Sequence, residues 1–514
     1  MSTFPGAPRL GRRVTLASLL AGGLVSGAAA QEARRGGTLR AVIDANPSSL
    51  DPHVGGQGGD HAVLSTLYDR LVDYDPATLA PRPSLATAWR FESPTQLVLE
   101  LRQGVTFHDG EIFDAAAVRA NFAHMMTNPR STVRADIASV AEVEVAAPHV
   151  VVLKLRQPDT TLPMIFTDRA GMMSSPKALA ERGENYGRNP VGTGAMQFVR
   201  WTDAAEIVVQ RNPRYWKPGE PLLDGIVMPI ITDTTTGLRS VRAGQNHISL
   251  NVDAQQIPGL RRASDVTVSV QDTFRLQQCY INFSKPPLND IRLRQALNFA
   301  IDRVAYARVV LGGVGAPADL HVPKGLWAYD AEAASKYPYD PDRAKRLIAE
   351  AGFGPGQLTI NASYASNQLN AQRIEILSAF LDRVGVKLTS TTGTLTATLQ
   401  TWREGVGDIR LANWTGRPDP ALTYQLLLHP SSAFNIGRAV PSPELIEAIA
   451  ASRTVESLDD RRAAMARVLR LEREFALTLP LAFEPEITAL SRRARNYVPN
   501  LAGRPRFEQV WLAA

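Results

Sequence analysis

His108 stands beside Asp109 in the run Phe107-His108-Asp109-Gly110, a pairing from which acid–base chemistry often starts. Asp-Gly is also a turn dipeptide, and the reading favoured for these residues is a packed turn. His53 and His61, with Asp51 and Asp60, are metal-ligand types, but their spacing fits no standard pattern and glycines lie between them, so no metal and no cofactor is expected. Cys279 is the one cysteine of the chain, which excludes an internal disulfide. It falls in an apolar run and reads as a small buried hydrophobe rather than a nucleophile. Gly-x-Ser-x-Gly, His-Glu-x-x-His and Gly-x-x-x-x-Gly-Lys are all absent. The expectation is a protein that is not an enzyme. The alternative is a periplasmic hydrolase of small esters or peptides, using a convergent Ser/His/Asp site that no linear motif would betray.

The elements that must position these residues are mixed. Thr38 to Ile43 reads as a strand closed by the turn-forming run Asn46 to Pro52, and Asp60 is expected to cap a helix carrying Val63, Leu67 and Leu71. Leu97, Leu99 and Leu101 alternate as in a strand, and Asp114 opens a helix with Val118, Phe122 and Met126 on its apolar face. Val143 and Val145, with Val150 to Leu155, read as a strand pair. The later chain is more helical. Asp290 begins a helix with Leu293, Leu297, Ala300, Ile301 and Val304 inside, and Asp340-Pro341 begins another that Gly352 ends. Ile374, Leu377, Leu381 and Val384 mark a third helix stopped by Gly385, while Ser457 and Asp460 open a long one bearing Met465, Val468, Leu469 and Phe475. Two apolar segments, around Cys279 to Phe283 and around Leu479 to Phe483, read as crossings between two lobes.

The first thirty residues hold Arg9, Arg12 and Arg13 and no acid, then a small apolar run from Val14 to Ala30. This is the three-part form of a cleaved export signal, with the cut near Ala30, and Arg12-Arg13 partly matches a twin-arginine signal, leaving both that route and the Sec route open. Without it the formal charge falls from +6 to +3, because three arginines leave. Basic residues are scattered among acids with no block of nucleic-acid type, so no nucleic-acid partner is expected. The remaining length exceeds what one core comfortably fills and points to two or more lobes.

The run Leu101-Arg102-Gln103-Gly104-Val105-Thr106-Phe107-His108-Asp109-Gly110, then Asp114 and Val118, resembles the most characteristic stretch of the extracellular solute-binding proteins of family 5. Further resemblance lies in Leu50-Asp51-Pro52, Tyr68 to Val72, Pro83 to Ala86 with Trp89, and Asn189-Pro190-Val191-Gly192-Thr193-Gly194. It continues in Arg211 to Trp216, Arg292 to Leu297 with Ala300 to Arg303, and Trp414 to Pro420. One departure is Gly244-Gln245-Asn246-His247, where the family often has Gly-x-x-Asp. The resemblance implies an α/β fold of two lobes (type II, cluster C-like), with an extra subdomain at about 76–200 in the first lobe and a two-strand hinge. Lobe I is then 31–277 with a return over 486–514, and lobe II is 278–485. It also implies the substrate-binding component of an ABC importer, a periplasmic monomer that hands a small peptide-like or other organic solute to permease subunits in the inner membrane.

Within that resemblance Trp402, Trp414, Arg417 and Asp419 are the candidate ligand-binding residues. In peptide-binding relatives an acidic residue soon after the corresponding Trp pairs with the amino end of the peptide, and Arg417 takes roughly that place. A guanidinium repels an ammonium but grips a carboxylate through two parallel hydrogen bonds, which implies a ligand with an anionic group. Asp419 is the alternative contact, with Pro418 stiffening the loop between them. N-terminal sequencing of the exported protein is expected to begin near Gln31, and exported material that retains Arg12 contradicts the cleavage.

Overall fold

The computed structural model describes residues 33–417, 419–432 and 434–514; the expected export signal and Pro418 lie outside them. Two mixed sheets form the lobes. The first has seven strands in the order Val266–Gln271, Glu486–Ser491, Ile248–Ser249, Thr38–Val42, Gly225–Pro229, Glu206–Arg211, Met196–Thr202. Thr38–Val42 runs parallel to both of its neighbours, and the other pairings are antiparallel. The second has six strands in the order Ala316–Pro317, Thr478–Phe483, Leu276–Ile281, Ile409–Trp414, Leu358–Ala365, Val386–Gly393. A separate four-stranded antiparallel sheet, built from strands between Ala86 and Leu155, carries the helix Ala115–Thr127 and forms the extra subdomain.

The apolar segments around Cys279 and Leu479 are not the crossings themselves. They are adjacent antiparallel strands inside the second sheet, with every residue of Thr478–Phe483 buried. The chain passes between lobes in residues 272–275 and 484–485, so the boundary expected after Gln277 falls inside a strand. The two passages are bonded together: Glu484 N donates to Arg275 O at 2.8 Å and Thr273 Oγ1 to Glu484 O at 2.6 Å.

Several caps act as their residue types require. Asp114 accepts from Ala117 N at 2.9 Å, and Ser457 accepts from Asp460 N while donating to its carboxylate at 2.6 Å. Three expectations are corrected. Asp60 does not cap; its carboxylate accepts from Ser48 N, Ser48 Oγ and Gln57 N, closing the preceding loop, and the helix ends at Leu67 before Leu71. Met125, not Met126, is the fully buried methionine of its helix, since the spacing 118, 122, 125 keeps the 3.6-residue phase. The helix begun at Asp290 stops at Ala300 because Asp302 caps a new one, leaving Val304 exposed.

The glycines of Asn189–Gly194 are needed for close approach. A Cβ on Gly194 would lie 2.5 Å from the carbonyl carbon of Leu67, and one on Gly192 would lie 2.1 Å from its oxygen. His108 N donates to Gly192 O at 2.9 Å, so the two stretches dock on each other beside the helix His61–Leu67. Gly194→Ala is expected to destabilise by about 2–3 kcal/mol, the upper range for overpacking, because the obstacle is backbone; chemical denaturation checks it, and an unchanged midpoint contradicts it.

Candidate functional site

A cavity of about 470 Å³ lies where the lobes and both crossings meet. Lobe I supplies Asp44, His61 and Arg169, the C-terminal return supplies Arg504, the crossings supply Arg275 and Glu484, and lobe II supplies Arg373, Asn413, Trp414 and Arg417. In its wall the Glu484 carboxylate accepts from Arg373 Nη2 at 2.8 Å, Gln277 Nε2 at 2.8 Å and Asn413 Nδ2 at 3.0 Å. Arg373 lies on the inner phase of the helix Gln368–Asp382, four residues before buried Leu377, and is itself 2 % exposed. A second cavity, about 570 Å³ and walled by lobe II alone, shares Leu369, Arg373 and Asn413 with the first.

Trp414 is buried, lines the first cavity and packs edge-on against Phe434 at 5.4 Å. Arg417 lines it too, with its guanidinium carbon 5.4 Å from the Trp414 ring centre and its Nε 3.6 Å from Asp136 Oδ1 of the subdomain. Burial pushes the Asp136 carboxyl up, against the pull of Arg417. Trp402 lines the second cavity only. Asp419 lines neither cavity. It is buried, caps the helix Pro420–Leu428 by accepting from Ala421 N at 2.9 Å, and pairs with Arg461, which occupies the carboxylate that the sequence offered to a ligand. Tyr424 is likewise buried away from both cavities, its hydroxyl beside His321 N.

Among the described residues lining the first cavity, four buried donors have no hydrogen-bond partner: Nε of Arg275, Arg373 and Arg417, the last within ion-pair reach of Asp136, and Trp414 Nε1. Only one buried acceptor there is unpaired, Glu486 Oε2, and burial pushes that carboxyl up toward its neutral form despite the Tyr497 hydrogen bond. Unmet buried donors are costly, and the same wall carries five arginines beside the carboxylates of Asp44, Asp253, Glu484 and Glu486. Arg504 is tied to Asp168, and against the burial that would raise it, Arg504 and His61 hold the Asp168 carboxyl well below its usual range.

Arg275, Arg373, Glu484, Arg169 and Arg504 escaped the sequence reading. Arg373 left one signal: a charge on the apolar phase of a helix, which in a folded protein needs a buried partner. Glu484, directly after the apolar run that ends at Phe483, left another.

The His108 ring is consumed by backbone. Nδ1 accepts from Gly192 N at 3.3 Å and Nε2 lies 3.0 Å from Gly194 O, while Asp109 accepts from Ser175 Oγ at 2.6 Å. Neither ring nitrogen reaches the serine, so these three residues are not a triad. Cys279 is fully buried and its thiol is pushed up to about 12 by desolvation, which leaves no thiolate to react.

The chain is two-lobed and encloses its cavity beside the two passages that join the lobes. The model of the bacterial extracellular solute-binding proteins, family 5 (middle), matches residues 80–435. The glutathione-binding protein GsiB of Salmonella paratyphi A is 30% identical over 372 residues, 72% of each chain. In structure the chain is similar to the Helicobacter pylori periplasmic binding protein DppA in complex with the peptide STSA (TM-score 0.82, 21% identity, 94% of this chain and 99% of that one). It is similar also to the binding protein AgaA with agropinic acid from A. tumefaciens R10 (TM-score 0.81, 20% identity, 93% and 99%). The chain belongs to the bacterial extracellular solute-binding proteins, family 5, the solute-binding components of ABC importers. These relatives are binding proteins rather than enzymes, and nothing supports the hydrolase alternative.

Burial lowers the His108 pKa to about 4. A histidine whose folded pKa lies below its unfolded value of about 6.5 contributes full stability above pH 6.5 and loses it as pH falls toward 4, at a cost of about 2 kcal/mol by pH 5. NMR titration of His108 is expected to show a midpoint near 4; a midpoint above 6 contradicts the buried, backbone-bonded ring.

Proposed function

We propose that the chain is a periplasmic, monomeric trap for a small peptide-like or other organic solute bearing at least one carboxylate, held in the cavity at the hinge and delivered to inner-membrane permease subunits. The observation that carries this is the convergence of five guanidinium groups, those of Arg169, Arg275, Arg373, Arg417 and Arg504, on residues lining one cavity. A carboxylate reaching Arg417 would replace Asp136, whose burial weakens it as an anion and makes it a poor competitor. The ligand-binding roles then fall to Arg417 and Trp414, with Trp402 walling the adjoining cavity for a longer ligand, and Asp419 stays a helix cap. Names of relatives support a ligand bearing a carboxylate: glutathione carries two, and the neighbour AgaA is in complex with agropinic acid.

The two lobes, joined at residues 272–275 and 484–485, are read as closing on the ligand. They also touch away from the cavity, where Arg453 Nη2 meets Asp159 Oδ2 at 2.5 Å and Thr160 N donates to Arg453 O at 2.8 Å. Export followed by cleavage near Ala30 belongs to the same reading, and among the described residues no helix is long and apolar enough to cross a membrane.

Calorimetry with glutathione and with dipeptides, free and amidated at the carboxyl end, tests the proposal. Arg417→Ala is expected to lose about 2 kcal/mol or more of binding, roughly thirtyfold, as when a buried charged partner is removed. Asp419→Ala should change stability and leave affinity near that of the parent. Unchanged affinity in Arg417→Ala, or equal binding of the amidated peptides, overturns the anion-clamp role.

A further inference from the structure

We propose that Asp51, His53 and His124 form a site for one divalent transition-metal ion of the zinc class, joining the loop after the first strand to the helix Ala115–Thr127. One ligand atom from each residue lies within 4.8 Å of the other two. The site is separate from both cavities, neither of which these residues line.

The His53 ring decides the matter. It is wholly buried, and its Nε2 lies 3.0 Å from Met172 O. A carbonyl can only accept, so Nε2 carries the proton and Nδ1 presents a lone pair. That Nδ1 has no hydrogen-bond partner and lies 3.9 Å from Asp51 Oδ1. Two electron-rich atoms confronting each other in a buried space are unfavourable until a cation or a donor stands between them. Histidine with its distal N–H on a backbone carbonyl and its other nitrogen free is the arrangement that protein zinc ligands adopt, because the carbonyl fixes the ring and its tautomer.

The other two ligands stand ready beside it. Asp51 Oδ1 is oriented by the His53 backbone N–H at 2.9 Å, and its Oδ2 lies 2.9 Å from His124 Nε2. Ligands about 2.0–2.1 Å from a tetrahedral ion stand about 3.3 Å apart, so the three ligand atoms, now within 4.8 Å of one another, draw together around the ion on one carboxylate oxygen. On metal binding the His124 Nε2 proton leaves to solvent, and the hydrogen bond between His124 and Asp51 becomes a bridge through the ion. The His124 side chain is 20 % exposed, which gives an entry path and leaves the fourth position for water. Two imidazoles and one carboxylate suit zinc, cobalt or nickel rather than calcium or magnesium, which prefer all-oxygen shells. Arg169 is the opposing charge; it is drawn off toward Gly55 O and the ligand cavity.

The mature protein, stripped with EDTA and dialysed, is titrated with Zn2+ by calorimetry and with Co2+ by visible absorption. One equivalent is expected, with a tetrahedral-type Co2+ spectrum and a raised melting temperature. His124→Ala alters a part-exposed side chain and keeps the fold, yet should weaken Zn2+ by at least about 10–100-fold, the loss that even outer-shell substitutions cause. Asp51→Asn provides a second reading, scored against the melting curve of its own metal-free form. Retained stoichiometric affinity in His124→Ala overturns the site, and so does a parent protein that binds neither ion.

Discussion

The carboxylate of Glu484 is the point on which the interlobe architecture turns. It sits in the shorter of the two passages between lobes, its backbone bonded to Thr273 and Arg275 of the other passage. Its side chain gathers Arg373 from a helix, Gln277 and Asn413 from neighbouring strands. A buried charge is tolerated only when its partners are fixed, and breaking such a pair from one side is far costlier than the pair is worth. The ion pair therefore fixes the register of the hinge against lobe II, and the cavity takes its shape from residues already committed to that network. Three donors converge on Glu484 Oε1, while other guanidinium groups of the cavity have partners of their own, Arg417 beside Asp136 and Arg504 on Asp168.

A division of labour follows between the recognisable stretches of the chain and the cavity. The turn at Phe107–Gly110 docks on Asn189–Gly194 through His108, and Asp69 accepts from both Tyr215 and Trp216 at 2.9 and 2.8 Å. These contacts stitch the subdomain to lobe I. None of those residues lines the cavity. The residues that carry the family resemblance are mostly those that hold the lobe together, through close backbone approach and hydrogen-bonded buried polar groups. The cavity wall is assembled from positions outside these stretches, apart from the Trp414–Arg417 end of one of them. Family and ligand are thus encoded in largely different residues.

Polar burial also joins the lobes away from the hinge. Asp159, wholly buried, accepts from Ser139 Oγ and Thr161 Oγ1 and meets Arg453 of the other lobe. Arg417 reaches Asp136 in the same subdomain. Contacts of this kind are specific in geometry and modest in net energy, because each charge gives up hydration to form them. Such contacts can hold two lobes together without committing them to one arrangement, which an equally large apolar interface would not allow.

Much of the local structure was legible in the linear chain. Asp114, Asp340 and Ser457 cap helices as their types demand, Gly352 and Gly385 end them with left-handed backbone, and the alternation about Leu99 marks a subdomain strand. Cap chemistry, periodicity and turn geometry act over a few residues, so sequence carries them directly. The family was legible for a related reason, since its stretches are contiguous. Trp414 and Arg417 were reachable because they lie in one of those stretches, beside the cavity that the fold encloses. Asp419, two residues beyond Arg417, was drawn away by a helix it must cap and by Arg461, a residue 42 positions distant. His124 joins Asp51 across 73 residues, and Arg373 finds Glu484 across 111. The sequence by itself determined elements, caps and family; only the tertiary structure decided which charges meet, because a partner at long range costs nothing to specify locally and is chosen by packing alone.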